Sequence, residues 1–185
     1  MRFQFDVILN DNDYLNYNMF YAFKSPYGEP ALKKFRRALT FFFASLILAI
    51  LVWKRFSFDG IVLAAVQAVI FVLVQVFLKR WLMFGTKNQL KHLKKSGKMA
   101  YSQSSHIEFF DEVFVETTEV NKVEQKYSSI ERISIIAYKC IYLHVNTVSA
   151  YIIPNAAFAS EEQYNEFCSF LSTICPQVTV YNEDK

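Results

Sequence analysis

Two apolar runs, Ala38–Trp53 and Ile61–Leu78, stand almost back to back, and neither holds a charged side chain. Only the connector Lys54–Gly60 separates them, and basic clusters close their outer ends: Lys33, Lys34, Arg36 and Arg37 before the first, Lys79 and Arg80 after the second. A core helix of a soluble protein keeps a polar stripe for water, and Phe41–Val52 offers none. A helix rises about 1.5 Å per residue, so about 20 apolar residues cross the roughly 30 Å of hydrocarbon in a bilayer. Runs of 16 and 18 residues are slightly short of that. Snorkelling Lys and Arg side chains, with Trp53 and Trp81 at the interfaces, supply the remainder. The pattern predicts a transmembrane helical hairpin.

Its flanks predict its orientation. Both outer flanks are strongly basic, whereas the connector sets Lys54 and Arg55 against Asp59. By the positive-inside rule both termini lie in the cytoplasm and the connector outside. Residues 1–20 alternate polar and apolar positions without a continuous apolar core, so a cleavable signal peptide is not expected.

The formal net charge of +3 conceals a separation of charge along the chain. Residues 79–98 carry seven Lys or Arg and no acid, while residues 99–185 carry five Lys or Arg against twelve Asp or Glu. The basic block falls where an anionic leaflet would be, and each such residue near the surface contributes on the order of 1 kcal/mol of attraction. Lys33, Lys34, Arg36, Arg37, Lys79, Arg80, Lys87, Lys91, Lys94 and Lys95 are therefore candidate contacts to anionic lipid, and they serve equally as topology markers. The acidic remainder disfavours the same leaflet and excludes nucleic acid as a partner, since that needs a basic footprint.

Along the cytoplasmic pieces the periodicity changes. In residues 2–9, Phe3, Phe5, Val7 and Leu9 alternate with polar neighbours, which predicts a half-buried strand. Asp11 or Asn12 is placed to cap a short helix over Asn16–Phe23, and Lys24–Pro30 reads as a loop. A lone strand needs a sheet, and the one available on its side of the membrane is C-terminal. Lys87–Lys98 is basic with a thin Leu90/Leu93 stripe and a stop at Gly97.

From Ser105 a period of two predicts strands at about 105–110, 112–118, 122–127, 131–138, 139–145 and 148–153, with a turn at Asn146–Thr147. Their inward residues would be Ile107, Phe109, Val113, Val115, Ile133, Ile135, Ile141, Leu143, Val145, Val148, Ala150 and Ile152. Pro154 ends the sheet, and the capping-box pattern at Ser160–Gln163 opens a helix with Tyr164, Phe167, Cys168, Leu171 and Ile174 on one face, stopped at Cys175–Pro176. The expected fold is α+β: a two-helix transmembrane hairpin plus a cytoplasmic antiparallel sheet or barrel plugged by a C-terminal helix.

Two stretches carry a family resemblance. YSSIERI (127–133) resembles the aromatic-Ser-x-Ile strand start of the YcxB-like family of bacterial membrane proteins, with Tyr127 where Trp is frequent. YIIPNAAFASEEQYNEF (151–167) resembles that family's Ile-Pro-x-x-x-Phe segment and acidic helix start, with Asn155 where a basic residue is common. The resemblance implies a pleckstrin-homology-like C-terminal domain and residence in the bacterial cytoplasmic (inner) membrane, multi-pass, and it brings no settled activity. The resulting division is 1–30, an N-terminal strand and short helix; 38–53 and 61–78, the two spans; 79–98, a basic juxtamembrane segment; and 99–185, the cytoplasmic domain.

No residue pattern names a reaction. Cys140, Cys168 and Cys175 are odd in number and sit on the reducing side. His92, His106 and His144 make no zinc-site spacing, Ser128–Ser129 lacks the glycines of a nucleophile elbow, and four glycines leave no phosphate-cradling loop. No enzyme, metal or cofactor is expected. Gln67 and Gln75, at i and i+8 on one helix face, are the strongly polar side chains within the spans. They are candidate interhelical contacts to Ser45 or Thr40, worth about 0.6–2 kcal/mol. The expected function is a membrane-anchored cytoplasmic binding module with a membrane or cytoplasmic protein partner. The alternative is a small oligomeric pore or transporter subunit assembled through the Gln67/Gln75 face.

Overall fold

A computed structural model describes residues 1–97, 101–147 and 149–182; Lys98 and Val148 lie outside the described residues. The chain forms two compact units, one from Met1–Tyr14 with Lys98–Lys185 and one from Leu15–Gly97. It is an α+β protein with two long apolar helices and mostly antiparallel sheets.

In the first unit, β1 (Phe3–Ile8) runs antiparallel to β2 (Ser104–Phe109), with Phe3 opposite Phe109 and Phe5 opposite Ile107. The alternation of residues 2–9 is that of β1: Phe5 and Val7 are buried while Gln4, Asp6 and Ile8 face out. β3 (Val113–Thr118) and β4 (Lys122–Lys126) extend this sheet in the order β1-β2-β3-β4. A second sheet has the order β7-β6-β5-β8, from β5 (Arg132–Ile136), β6 (Cys140–His144), β7 (Ala150–Pro154) and β8 (Val178–Tyr181).

Several sequence expectations are corrected. The sheet does not close into a barrel, because β4 leads through the 3₁₀ turn Tyr127–Ser129 into β5 without pairing with it. The expected strands 131–138 and 139–145 are separated by a turn, Ala137–Lys139, closed by the Lys139 amide donating to the Ile136 carbonyl at 3.0 Å. β8 has no counterpart among the expected strands; it pairs parallel with β5 after a bend at Pro176. Phe114, rather than Val113, faces the core of β3, since it stands opposite Phe109.

The helix α4 (Glu161–Ile174) fills the space between the sheets. Ser160 caps it, its hydroxyl accepting from the Gln163 amide at 3.3 Å, and the Gln163 side chain accepts from the Ala159 amide at 2.7 Å. That return bond reaches one residue before the cap. Tyr164, Phe167, Phe170 and Leu171 form the buried stripe, while Cys168 and Ile174 are half-buried. Phe167 contacts the rings of Phe3, Phe5, Phe109 and Phe158 at centroid distances of 4.7–5.7 Å. Each such aromatic pair adds about 0.5–1.5 kcal/mol beyond the area it buries.

α1 (Asp11–Lys24) starts in the first unit and continues into the second; it is capped by Asn10, whose side-chain oxygen accepts from the Asn12 and Asp13 amides at 2.8 and 3.2 Å. The expected caps Asp11 and Asn12 lie inside the first turn instead. α2 (Gly28–Trp53) begins well before the apolar run, and the expected loop Lys24–Pro30 shrinks to Ser25–Tyr27. Pro30 is tolerated because the first-turn amides of a helix have no intrahelical acceptor. At this corner the buried Ser25 hydroxyl donates to the Tyr21 carbonyl at 2.6 Å and accepts from the Gly28 amide at 2.9 Å. α3 runs unbroken from Phe58 to Lys95, so the basic segment continues the second apolar helix. α2 and α3 form a hairpin in which Phe43 meets Phe71 at 5.4 Å. Both are long and apolar enough to cross a membrane.

Candidate binding site

The turn between β5 and β6 would ordinarily hold Gly, Asn or Asp. Here Tyr138 occupies it with φ +58°, a left-handed conformation that is costly for a bulky side chain. The residue is 68 % exposed, and its ring stacks on Tyr164 of α4, centroids 6.1 Å apart and planes 21° apart. A backbone hydrogen bond also links Tyr138 to the Tyr164 hydroxyl. The 3₁₀ turn Asn155–Ala157 is fastened beside it by the Asn155 amide donating to the Lys139 carbonyl at 2.8 Å.

These elements enclose an open pocket of about 280 Å³ lined by Tyr138, Asn155, Phe158, Ser160, Glu161 and Tyr164. Phe158 meets Tyr164 edge-on at 5.2 Å, so three rings wall the space. Burial first, with the nearby Cys168, pushes the Tyr164 phenol up to about 12 and keeps it neutral. Glu161, exposed at the start of α4, adds an acidic residue to the lining, and Glu162 beside it is held below the usual carboxylate range chiefly by its hydrogen bond with Ser160. Aromatic faces with a carboxylate attract a cation and repel an anion.

Residues 109–171 match the family model described as YcxB-like protein. That segment, about a third of the chain, is similar to the YcxB-like family. Every residue lining the pocket falls inside the YcxB-like segment, including Asn155 and Phe158 of the Ile-Pro-x-x-x-Phe stretch, whereas β1 and the helical hairpin fall outside it. No curated protein and no solved structure matches the chain.

Outside the pocket, the YcxB-like segment brings together a pair that sequence spacing does not show. His144 and Ser134 are diagonal neighbours on β6 and β5, with Nε2 3.1 Å from Oγ. Both are buried, Ser134 completely, so the hydroxyl has no path to a substrate. Among the described residues no three His, Cys, Asp or Glu side chains converge on a metal-sized space.

The residues singled out from sequence lie in the other unit. Lys33, Lys34, Arg36 and Arg37 are exposed on α2, and Lys79, Arg80, Lys87, Lys91, Lys94 and Lys95 on α3. Lys33 pairs with Glu29 at 2.5 Å, Lys79 lies over the Phe23 ring at 6.0 Å and Arg80 over Phe77 at 5.5 Å. Gln67 and Gln75 are half-buried on the α3 face that carries Ala64, Phe71 and Leu78 toward α2. Their expected partners donate within α2: Thr40 to the Arg36 carbonyl at 2.9 Å and Ser45 to the Phe42 carbonyl at 2.8 Å. None of the pocket residues is singled out by the sequence as a binding residue. The available signal is a tyrosine in a two-strand connection that lacks any usual turn residue.

Proposed function

We propose that this protein is a membrane-anchored binding module whose YcxB-like unit captures a basic side chain, Lys or Arg, of a partner protein. The carrying observation is the Tyr138–Tyr164–Phe158 pocket with Glu161 in its lining, built on a turn held in a strained conformation. The acidic balance of residues 99–185 attracts the same partner charge at longer range. In this reading the antiparallel strands closed by α4 form a pleckstrin-homology-like scaffold.

Membrane anchoring is supported by the outward faces of α2 and α3. Phe41 is 76 % exposed and Val76 67 %, with Leu48, Val52, Val69 and Val72 also largely uncovered. Contiguous apolar surface on this scale marks a membrane or partner contact. Pairing of β1 with β2 brings the chain before and after the hairpin into one unit, which fits a hairpin that enters and leaves the same face. The basic flanks make that face cytoplasmic, in the inner membrane of a bacterium. Anchoring raises the pocket's effective concentration toward other membrane proteins. The pore alternative needs Gln67 and Gln75 turned toward other copies, whereas they share the face turned to α2.

A photo-crosslinking side chain placed at Asn155 of the full chain tests the reading in cells. The full chain is required because β1 supplies Phe5 and Val7 to the core. The expected outcome is a discrete protein adduct, attached near a Lys or Arg and lost on Glu161→Gln. Absence of any protein adduct, or one indifferent to Glu161→Gln, overturns it.

A further inference from the structure

A second cavity lies in the helical unit. Tyr21 and Ala22 of α1, Gly28, Ala31, Leu32 and Phe35 of α2, and Leu78 and Leu82 of α3 line a groove of about 360 Å³ that is almost wholly apolar. Positions 28, 31, 32 and 35 share one face of α2. The groove sits where both apolar runs give way to their basic flanks, since Lys33 and Lys34 fall between Leu32 and Phe35, Arg36 follows Phe35, and Lys79 and Arg80 fall between Leu78 and Leu82. Lys79 follows Leu78 directly, and its ammonium lies 6.0 Å over the ring of Phe23, on the same helix as Tyr21 and Ala22. Glu29, the acid of this stretch, is held by Lys33 at 2.5 Å.

We propose that this groove is a binding site for an anionic phospholipid of the bilayer. A stretch of one acyl chain lies against Leu32, Phe35, Leu78 and Leu82, and the phosphate is met by Arg36 and Lys79. A hydrocarbon groove alone would take any lipid; cations at its rim select charge, as basic pockets between helices do for anionic headgroups. Gly28 shapes the α1 end of the groove, because a Cβ there would lie 1.9 Å from the Tyr21 carbonyl oxygen. The site rests on the membrane reading and is independent of the aromatic pocket.

The test uses the full chain in bilayers containing equal phosphatidylglycerol and phosphatidylcholine, followed by native mass spectrometry of the lipids retained on release. Selective retention of phosphatidylglycerol is expected, reduced about tenfold by Arg36→Gln with Lys79→Gln. Ala31→Trp, which fills the groove without touching a charge, should also displace the lipid. Lys87→Gln with Lys91→Gln removes as much charge outside the groove lining and should lower retention far less than the groove pair does. Equal retention of the two lipids, or an equal loss from both double variants, overturns the site while leaving the anchor standing. Release of the chain from membranes by alkaline carbonate overturns the anchor and the site together.

Discussion

Phe5 and Phe167, from opposite ends of the chain, meet edge-to-face with ring centroids 4.7 Å apart. Phe5 is 1 % exposed and Phe167 fully buried, so this contact ties the N-terminal strand to the closing helix through the middle of the core. Phe5→Ala should destabilise the first unit by about 3–5 kcal/mol. Thermal unfolding of the full chain in micelles should show the loss, and the β2 amides opposite β1 should lose hydrogen-exchange protection. An unchanged midpoint would mean that β1 is dispensable to the unit.

Tyr138 should behave oppositely in stability and in binding. Gly at φ +58° relieves the conformational cost that Tyr bears there. Tyr138→Gly should therefore leave stability unchanged or raise it by about 1 kcal/mol, net of the lost stacking on Tyr164, while abolishing the crosslink from position 155. Joint loss of stability and crosslinking would assign Tyr138 to the core rather than to a partner.

The α1–α2 corner and α3 make opposite demands on glycine. Gly28→Ala forces its new methyl into the Tyr21 carbonyl, which should cost about 1–3 kcal/mol or more. A methyl added at Gly85, inside α3, would meet nothing within 4 Å, so Gly85→Ala should stabilise that helix by about 1 kcal/mol. Paired melting curves decide both, and equal effects would reject the close approach at the corner.

Acid stability should carry the mark of His144. Burial, reinforced by the positive charge of Arg132, pulls its pKa from 6.5 down to about 4. As pH falls below about 6.5 the unfolded chain takes up a proton that the folded chain refuses until about 4, so stability declines across that window by on the order of 3 kcal/mol. Glu116 acts with the opposite sign, since burial raises its carboxyl and the folded chain binds that proton more readily. His144→Gln should flatten the decline between pH 6.5 and 4 in a series of melting curves. An unaltered pH slope would show that the imidazole is not held neutral.

Strand positions are readable wherever alternation is strong. Phe3, Phe5 and Val7 mark β1, and Ile133, Ile135, Ile141 and Leu143 mark β5 and β6. Periodicity cannot find β8, whose four residues are too few to establish a pattern and whose partner is parallel. It cannot choose between Val113 and Phe114, because that depends on register with Phe109. The aromatic pocket is illegible for a further reason. Tyr138, Asn155 and Tyr164 come from three separate elements and meet only once α4 has crossed the sheets. The Ser134–His144 pair likewise exists only as a cross-strand diagonal.

The partnership of β1 with β2 also sets a clock. A ribosome adds about 5–20 residues each second, so the first strand waits several seconds for Ser104–Phe109 to be made. During that interval the whole helical hairpin is synthesised, and Phe3, Phe5 and Val7 have no sheet to cover them. The domain can therefore close only after both apolar helices have emerged. Completion of the fold thereby reports that the hairpin has been made in full, and a chain stalled before residue 104 presents an unpaired apolar strand to the quality-control machinery of the cell.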